Sequence, residues 1–354
     1  MTKRALILGA SGIIGRTLAE ELLTAGDWTV LGVARRAGQV PAGVQPIAVD
    51  LRDEAAVRAA LAGTSPTHLF ITTWLRQANE KENCAVNGAM VRNALAALEG
   101  SRDLGHVALV TGLKHYLGPF EHFAKNKPVT PFREEQPRVP LENFYYVQED
   151  AVFEAAAKQG FGWSVHRPHT LIGYAVGNAM NMGSTLAAYA AICKETGQPF
   201  VFPGSPEQWA GVSDVTDGRI LARHLHWAAS TPAARNEAFN VVNGEVFRWN
   251  WLWPRLAALY GVPAADYPGR ATPLVEQMAG AAPVWDRIVR KYGLAANAID
   301  VVASWWHSDA DLGRPVECFT DMSKSRRLGF MDYQETTESF RYVYERLKAE
   351  RIVP

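Results

Sequence analysis

Ala5-Leu6-Ile7-Leu8-Gly9-Ala10-Ser11-Gly12-Ile13-Ile14-Gly15 joins a compact apolar run to a segment of helical spacing that continues to about Ala25. The run reads as a buried strand, and the three glycines fall on the turn that carries the chain into the helix. Gly9 permits a tight turn, Gly12 lets a pyrophosphate approach the backbone, and Gly15 lets helix pack against strand. Ser11, Ile13 and Ile14 lie in the same turn, where the amides of a helix N-terminus suit phosphate oxygens. A glycine pattern in an isolated loop says little. Between a first strand and a first helix it predicts a dinucleotide site.

The pattern then repeats. Apolar runs at Thr29–Val33, Pro46–Val49, His68–Thr72, Val107–Val110 and Trp163–Val165 alternate with helical segments at Val57–Leu61, Val86–Leu98 and Phe144–Lys158. Continuous apolar strands with helices between them predict a parallel sheet covered on both faces. The expected fold is α/β, a Rossmann-type doubly wound parallel sheet, with residues 1–170 as the nucleotide-binding domain. Beyond about residue 170 the alternation fades into a stretch richer in Trp, Pro and Gly. A helix over Leu186–Cys193 and a late strand over Phe239–Val242 predict a smaller, mostly helical lobe over 171–354. That lobe should mainly bind substrate and return elements to the first sheet.

Composition narrows the function. The chain has 354 residues, ample for a buried core, and its 36 Lys and Arg balance 36 Asp and Glu, which disfavours a nucleic-acid partner. Cys84, Cys193 and Cys318 are odd in number and far apart, so neither a disulfide framework nor a metal site is expected. No apolar stretch is long enough for a signal-peptide core or a membrane span, so a cytoplasmic protein with no membrane partner is expected. Nothing marks a subunit interface, although exposed helices leave room for a homodimer.

Gly32-Val33-Ala34-Arg35-Arg36 ends the second strand without the carboxylate that would accept from a ribose 2′-hydroxyl. Two guanidinium groups suit a 2′-phosphate, so NADP(H) is the expected cofactor. Asp50, followed by Leu51, either bonds the adenine amino group or caps the next helix. Thr72, Thr73 and Trp74 end the fourth strand, Thr111 and Gly112 the fifth, and Pro168 and Thr170 follow the sixth. All should face the ligand crevice, which in open α/β sheets lies outside the carboxyl ends of the strands.

Two further segments reach that edge. Val110-Thr111-Gly112-Leu113-Lys114-His115-Tyr116-Leu117-Gly118-Pro119-Phe120 leaves the fifth strand, and Asn143-Phe144-Tyr145-Tyr146-Val147-Gln148-Glu149-Asp150 opens a helix. Short-chain dehydrogenases usually carry Tyr-x-x-x-Lys on this helix, but four residues after Tyr145 and Tyr146 stand Glu149 and Asp150. Those two read as carboxylates favouring the helix N-terminal dipole. A lysine is available instead at position 114, from another wall of the pocket.

Both segments closely resemble motifs of the progesterone 5β-reductase/iridoid synthase family, atypical short-chain dehydrogenases that reduce activated C=C bonds with NADPH. Gly32–Arg36, Asn83-Cys84 with Asn87-Gly88-Ala89-Met90, Ser164-Val165-His166-Arg167-Pro168, Ala190-Ala191-Ile192-Cys193-Lys194 and Ile352-Val353-Pro354 resemble it too. The resemblance runs from about residue 4 to the C-terminus. It implies Lys114 and Tyr146 as the catalytic lysine and tyrosine. It implies Phe120 and Trp306 as substrate-facing aromatics, with Tyr145 beside them in an apolar wall. The chain also departs from the family: His169 stands where glycine is usual, and His307–Val316 carries a small insertion.

On this reading hydride adds at the β carbon of an enone or enal, and the Tyr146 hydroxyl stabilises the enolate oxygen. Lys114 bonds the nicotinamide ribose and holds the tyrosine polarised. Carbonyl reduction on the same site, and an NADPH sensor that signals without catalysis, are the competing readings.

Overall fold

The computed structural model describes residues 3–119, 122, 128–178 and 180–354. The first half runs β1 (Lys3–Leu8), α1 (Ile13–Ala25), β2 (Trp28–Ala34), β3 (Gln45–Ala48), α2 (Glu54–Leu61), β4 (His68–Ile71), α3 (Glu80–Ala97) and β5 (His106–Val110). α4 (Lys114–Leu117), α5 (Phe144–Gln159) and β6 (Gly162–Pro168) complete the expected alternation. The second half runs β7 (Leu171–Ile172), α6 (Met182–Thr196), α7 (Pro206–Ala210), β8 (Thr216–Asp217), α8 (Gly218–Ser230) and β9 (Glu237–Val241). Helices α9 (Trp249–Tyr260), α10 (Leu274–Gln277), α11 (Ala282–Tyr292), α12 (Ile299–Val302), α13 (Trp305–Leu312), α14 (Ser323–Arg327) and α15 (Thr336–Ala349) follow.

Among the described residues the main sheet has seven parallel strands in the order β3-β2-β1-β4-β5-β6-β9. The chain leaves β1 toward one edge and returns to the other side of β1 as β4, so the order reverses between β1 and β4. A ligand crevice is expected at the carboxyl ends there. β9 pairs with β6, with Pro168 opposite Val241, so the second half supplies an edge strand. β7 and β8 form a separate parallel pair.

Successive residues of a strand face opposite sides, and both sides are apolar here. Leu6, Leu8, Leu31, Val33, Leu69, Ile71 and Leu109 belong to one core, with Val91 of α3 and Val152 of α5. Ala5, Ile7, Val30, Phe70, Ala108 and Phe239 belong to the other, with Leu18 of α1 and Leu221 of α8. A third core fills the second half, where Phe200 stacks on Trp253 at 4.1 Å beside Tyr189 of α6.

The helix expected from Val86 starts six residues earlier, at Glu80, because the Asn79 side chain accepts from the Glu82 amide at 2.9 Å. Asn181 caps α6 in the same way and extends it to Met182. Asp50 caps nothing. Asp53 caps α2, accepting from the Ala56 amide at 3.0 Å, so the helix-cap reading of Asp50 falls. Among the described residues no helix is long and apolar enough to cross a membrane.

Candidate active site

A cleft of about 1060 Å³ runs past the carboxyl ends of β1, β2 and β4. Gly9, Ser11 and Gly12 line it, with Arg35 after β2, Asp50 and Leu51 after β3, and Thr72, Thr73 and Trp74 after β4. The glycines are needed for different reasons. A Cβ on Gly9, at φ +88°, would lie 2.9 Å from Thr73 Cβ, and one on Gly15 would lie 2.3 Å from the Gly9 carbonyl oxygen. The protein's own packing demands glycine at both. A Cβ on Gly12 would come no closer than 3.4 Å, to the Gly9 oxygen. Nothing in the protein forbids a side chain there, so glycine at 12 serves to keep the cleft clear. No side chain caps α1. Ile14 is packed in the sheet core and Ile13 is buried, so a ligand at this turn would meet their amides.

Arg16 and Arg52 line the cleft with Arg35, whereas Arg36 is exposed and is not among the lining residues. Arg52 pairs with Asp50 at 2.6 Å and also donates its amide at 3.0 Å. These bonds hold the Asp50 carboxyl down to about 2. Thr72 donates its hydroxyl to the Leu8 carbonyl at 2.8 Å and ties β4 to β1 at the crevice. Asn87 bonds both backbone groups of Leu75, at 2.7 and 3.0 Å, and Asn83 accepts from the Gln77 amide at 2.8 Å. The motif asparagines thus shape the loop behind Trp74. Trp74 stacks on Phe144 with ring centres 5.5 Å apart and links the cleft to the head of α5.

Across the cleft the Arg76 guanidinium lies 3.7 Å from the ring centre of Trp306, and both line it. Tyr174, Glu350 and Ile352 line it as well. Phe120 lies outside the described residues.

The two tyrosines at the head of α5 have different surroundings. Tyr146 is buried; its hydroxyl donates to the His115 carbonyl at 2.7 Å and accepts from the Val139 amide at 2.9 Å. Arg138 covers its ring at 4.7 Å. Tyr145 keeps partial solvent contact, and no hydrogen bond among the described residues engages its hydroxyl. A Cβ on Gly112 would lie 3.2 Å from both that hydroxyl and the Pro168 carbonyl. The Tyr145 phenol therefore stands at the carboxyl ends of β5 and β6. Burial, then the charges of Glu80 and Asp311, push it well above its ordinary pKa, so it holds its proton.

Glu149 and Asp150 lie beyond the first turn of α5, which contains no acid. They serve ion pairs, and the dipole reading is corrected. Glu149 meets Arg138 at 2.8 Å and Arg167 at 3.6 Å, while Asp150 meets Arg138 at 2.8 Å. Tyr146 is part of this scaffold.

Lys114 is buried, with Nζ 3.2 Å from Glu80 Oε2 and 4.8 Å from the Phe144 ring centre. Its carbonyl accepts from Asn143 Nδ2 at 2.6 Å, so lysine and helix head are fastened together. Sequence reasoning does not single out Glu80; its only signal is a carboxylate three residues before Asn83. His115 is lowered to about 3 by burial and then by Arg167, and its ring lies 3.3 Å from the Gln136 carbonyl, a structural role. Thr111 bonds the His166 carbonyl through its amide at 2.8 Å.

The two departures from the family motif meet. His169 Nδ1 bonds Asp214, and Arg314 Nη1 lies 3.1 Å from His169 Nε2. Arg314 also pairs with Asp311, whose carboxylate accepts from the Thr170 hydroxyl at 3.2 Å. Thr170 is thus engaged by this cluster. Burial disfavours and Asp214 favours a proton on His169, with the balance raised to about 9. Arg314, however, can only donate, so Nε2 accepts and the imidazole is neutral in this arrangement. Among the described residues no group of three or more His, Cys, Asp or Glu could hold a metal ion.

Residues 48–354 match the family described as a PRISE-like Rossmann-fold domain. The chain is similar to the (S)-8-oxocitronellyl enol synthase of Nepeta racemosa, 42% identical over 362 residues that cover 99% of this chain and 93% of that protein. It is 40% identical over 362 residues, with 99% and 93% covered, to the 3-oxo-Delta(4,5)-steroid 5-beta-reductase of Arabidopsis thaliana. Among solved structures, the UDP-glucose 4-epimerase of Thermotoga maritima aligns with TM-score 0.67 over 98% of this chain and 99% of that one. At 14% identity this is a likeness of fold alone.

Proposed function

The chain belongs to the PRISE-like Rossmann-fold family, and from that membership we propose that it is an NADPH-dependent oxidoreductase reducing the activated C=C bond of an enone or enal. One relative is a reductase of a 3-oxo-Δ4,5-steroid, a name that describes a double bond conjugated with a carbonyl. Another is named for an enol product. Both names fit conjugate reduction, in which charge develops on the carbonyl oxygen.

The residues fit a dinucleotide. The bare backbone at Gly12 and the side-chain-free cap of α1 suit a pyrophosphate. Arg35, with Arg16 and Arg52 nearby, supports NADP(H) over NAD(H), since the carboxylate at that end, Asp50, is already tied to Arg52. The bound dinucleotide supplies the hydride. Residues 171–354 mainly hold the substrate, with Trp306 and Arg76 forming a wall that spans the cleft.

We assign the donor to the carbonyl oxygen to Tyr145 and give Tyr146 a structural role. The Tyr146 hydroxyl already has two backbone partners, whereas no hydrogen bond among the described residues engages the Tyr145 hydroxyl. A phenol that keeps its proton is suited to donate toward a developing enolate, a contribution of about 2.7–4 kcal/mol. Lys114, fastened to the head of α5, positions that helix and is assigned to the nicotinamide ribose. The observation that carries the reading is the uncommitted phenol of Tyr145 beside Gly112 and Pro168.

NADPH oxidation with cyclohexenone, followed by product analysis, tests the reaction. Saturated ketone is expected. Allylic alcohol would make the chain a carbonyl reductase, and inertness across a broad enone panel would favour a sensor. Tyr145→Phe should cut turnover by about 10²–10³-fold with NADPH binding intact, while Tyr146→Phe keeps most of its turnover. The reverse result returns the donor role to Tyr146.

A further inference from the structure

We propose that His169 and Arg314 are positioning residues: together they brace α13 across the cleft, and the brace makes the site selective for one-ring or open-chain enones over fused-ring ones. This rests on the function proposed above.

Helix α13 is tied at three places along its length. At its start the Trp306 ring meets the Arg76 guanidinium at 3.7 Å, and Arg76 comes from the loop after β4. In its second half the Asp309 carboxylate accepts from the Leu274 and Val275 amides of α10 at 2.6 and 2.9 Å. At its end Asp311 pairs with Arg314 and accepts from the Thr170 hydroxyl at 3.2 Å. Arg314 then donates to His169 Nε2 at 3.1 Å and to the Thr170 hydroxyl at 3.3 Å. His169 carries the tie on to Asp214, which accepts from the Thr320 amide at 2.7 Å.

The last tie differs from the others in kind. His169, Asp214, Asp311 and Arg314 are all buried, so drawing α13 away would strand charges that have no water to meet. The helix has eight residues, a rod about 12 Å long, so a hold on its end also fixes where Trp306 stands. The hold is made at the reacting corner. His169 follows Pro168, whose carbonyl oxygen lies 3.2 Å from the place of a Cβ on Gly112, as the Tyr145 hydroxyl does. The bridge between Arg76 and Trp306 therefore cannot open without disturbing the charged tie. A one-ring or open-chain enone asks for no opening. A fused-ring enone is long and rigid and must push Trp306 aside, so its binding loses whatever breaking the tie costs. Both bracing residues stand where the chain departs from the family motif, which makes this selectivity a property of this chain.

The test compares kcat/KM for cyclohexenone and for a 3-oxo-Δ4,5-steroid, with NADPH and the full chain. The wild type should favour cyclohexenone by at least about tenfold. His169→Gly removes the ring between Asp214 and Arg314 and should raise the steroid-to-cyclohexenone ratio at least about tenfold, chiefly through KM for the steroid. NADPH affinity should change little. His169→Gln can accept from Arg314 and donate to Asp214, and should restore most of the wild-type ratio. Loss of folded protein lowers both rates alike and leaves the ratio unmoved. In the chain labelled with 5-fluorotryptophan, the Trp306 fluorine line, identified by its loss in Trp306→Phe, should shift or broaden in His169→Gly. An unchanged ratio or an unmoved Trp306 line in folded His169→Gly overturns the proposal, as does a wild type that reduces the steroid as readily as cyclohexenone. If His169→Gly does not fold, Arg314→Lys, whose single ammonium cannot span His169 and Asp311 together, decides by the same two readings. The fluorine line needs no substrate. A moved line in a chain that reduces no enone therefore sinks the enone reading alone, and enone turnover with an unmoved line sinks only the brace.

Discussion

Two of the buried regions that hold histidines keep them neutral by opposite means. Beneath the sheet, His106 Nε2 lies 2.9 Å from Ser164 Oγ, which lies 2.8 Å from His166 Nε2. His166 Nδ1 then meets His224 Nδ1 at 3.0 Å, and His224 Nε2 meets Ser325 Oγ at 3.0 Å. Among the described residues the hydrogen bonds along this chain run between hydroxyls and imidazoles. Burial is the main cause that lowers His106 and His224 to about 3 and His166 well below its ordinary value, with neighbouring charges adding to it at His106 and His166. At the carboxyl edge, His169 stands between Asp214 and Arg314, and Arg314 also faces Asp311. There the ring sits among full charges, two carboxylates and one guanidinium. The first arrangement asks only that donors alternate with acceptors. The second depends on every member, because removing one leaves a buried charge uncompensated.

Breaking the charged region should therefore have the larger effect. Asp214→Asn is expected to cost about 3–5 kcal/mol, read from the urea midpoint, because His169 Nδ1 and the amide and hydroxyl of Thr320 all lose the buried carboxylate they share. A cost no greater than that of a surface substitution would mean the cluster is solvated or rearranges. Ser164→Ala interrupts the neutral chain, leaves His106 and His166 each short of a partner, and should cost about 1–3 kcal/mol by the same measurement. Thr170→Val removes one hydroxyl from the edge of the charged cluster and should cost about 1 kcal/mol.

Acid sharpens the contrast. Unfolded histidine titrates near 6.5, and His106 and His224 are depressed to about 3 in the fold. Above pH 6.5 neither state takes up protons at these sites and their contribution is complete. As pH falls from 6.5 toward 3 only the unfolded chain binds protons there, so stability declines. Thermal unfolding across that window should show the decline, and His224→Gln should reduce its slope. At the other region, Arg314→Gln should let His169 take a proton drawn by Asp214, visible as an imidazole resonance that titrates upward from its wild-type value. An unchanged resonance would show that Asp214, and not Arg314, governs that ring.

Much of the nucleotide half was legible because its signals are local. Strand, turn and helix at 3–25 follow from an apolar run and three glycines within one stretch, and the cleft forms there. The helix start at Glu80 was missed because its cap, Asn79, acts through a single side chain that periodicity does not register. Arg16 and Arg52 were missed because they reach the cleft from a helix and a turn away from the motif.

The amino-acid order alone determined the parallel sheet, the crevice at its carboxyl edge and the arrival of Lys114 and the paired tyrosines there, since each is read from short stretches of the chain. Only the tertiary structure decided which tyrosine hydroxyl is left without a hydrogen bond among the described residues, that Glu80 meets Lys114, and that His169 answers Arg314. Neighbouring residues on a helix diverge by about 100°, so adjacency cannot say which of Tyr145 and Tyr146 faces the pocket. Glu80 and Lys114 are 34 positions apart, and His169 and Arg314 are 145 apart. Nothing in the spacing of such pairs encodes their contact; packing of the cores around them brings them together.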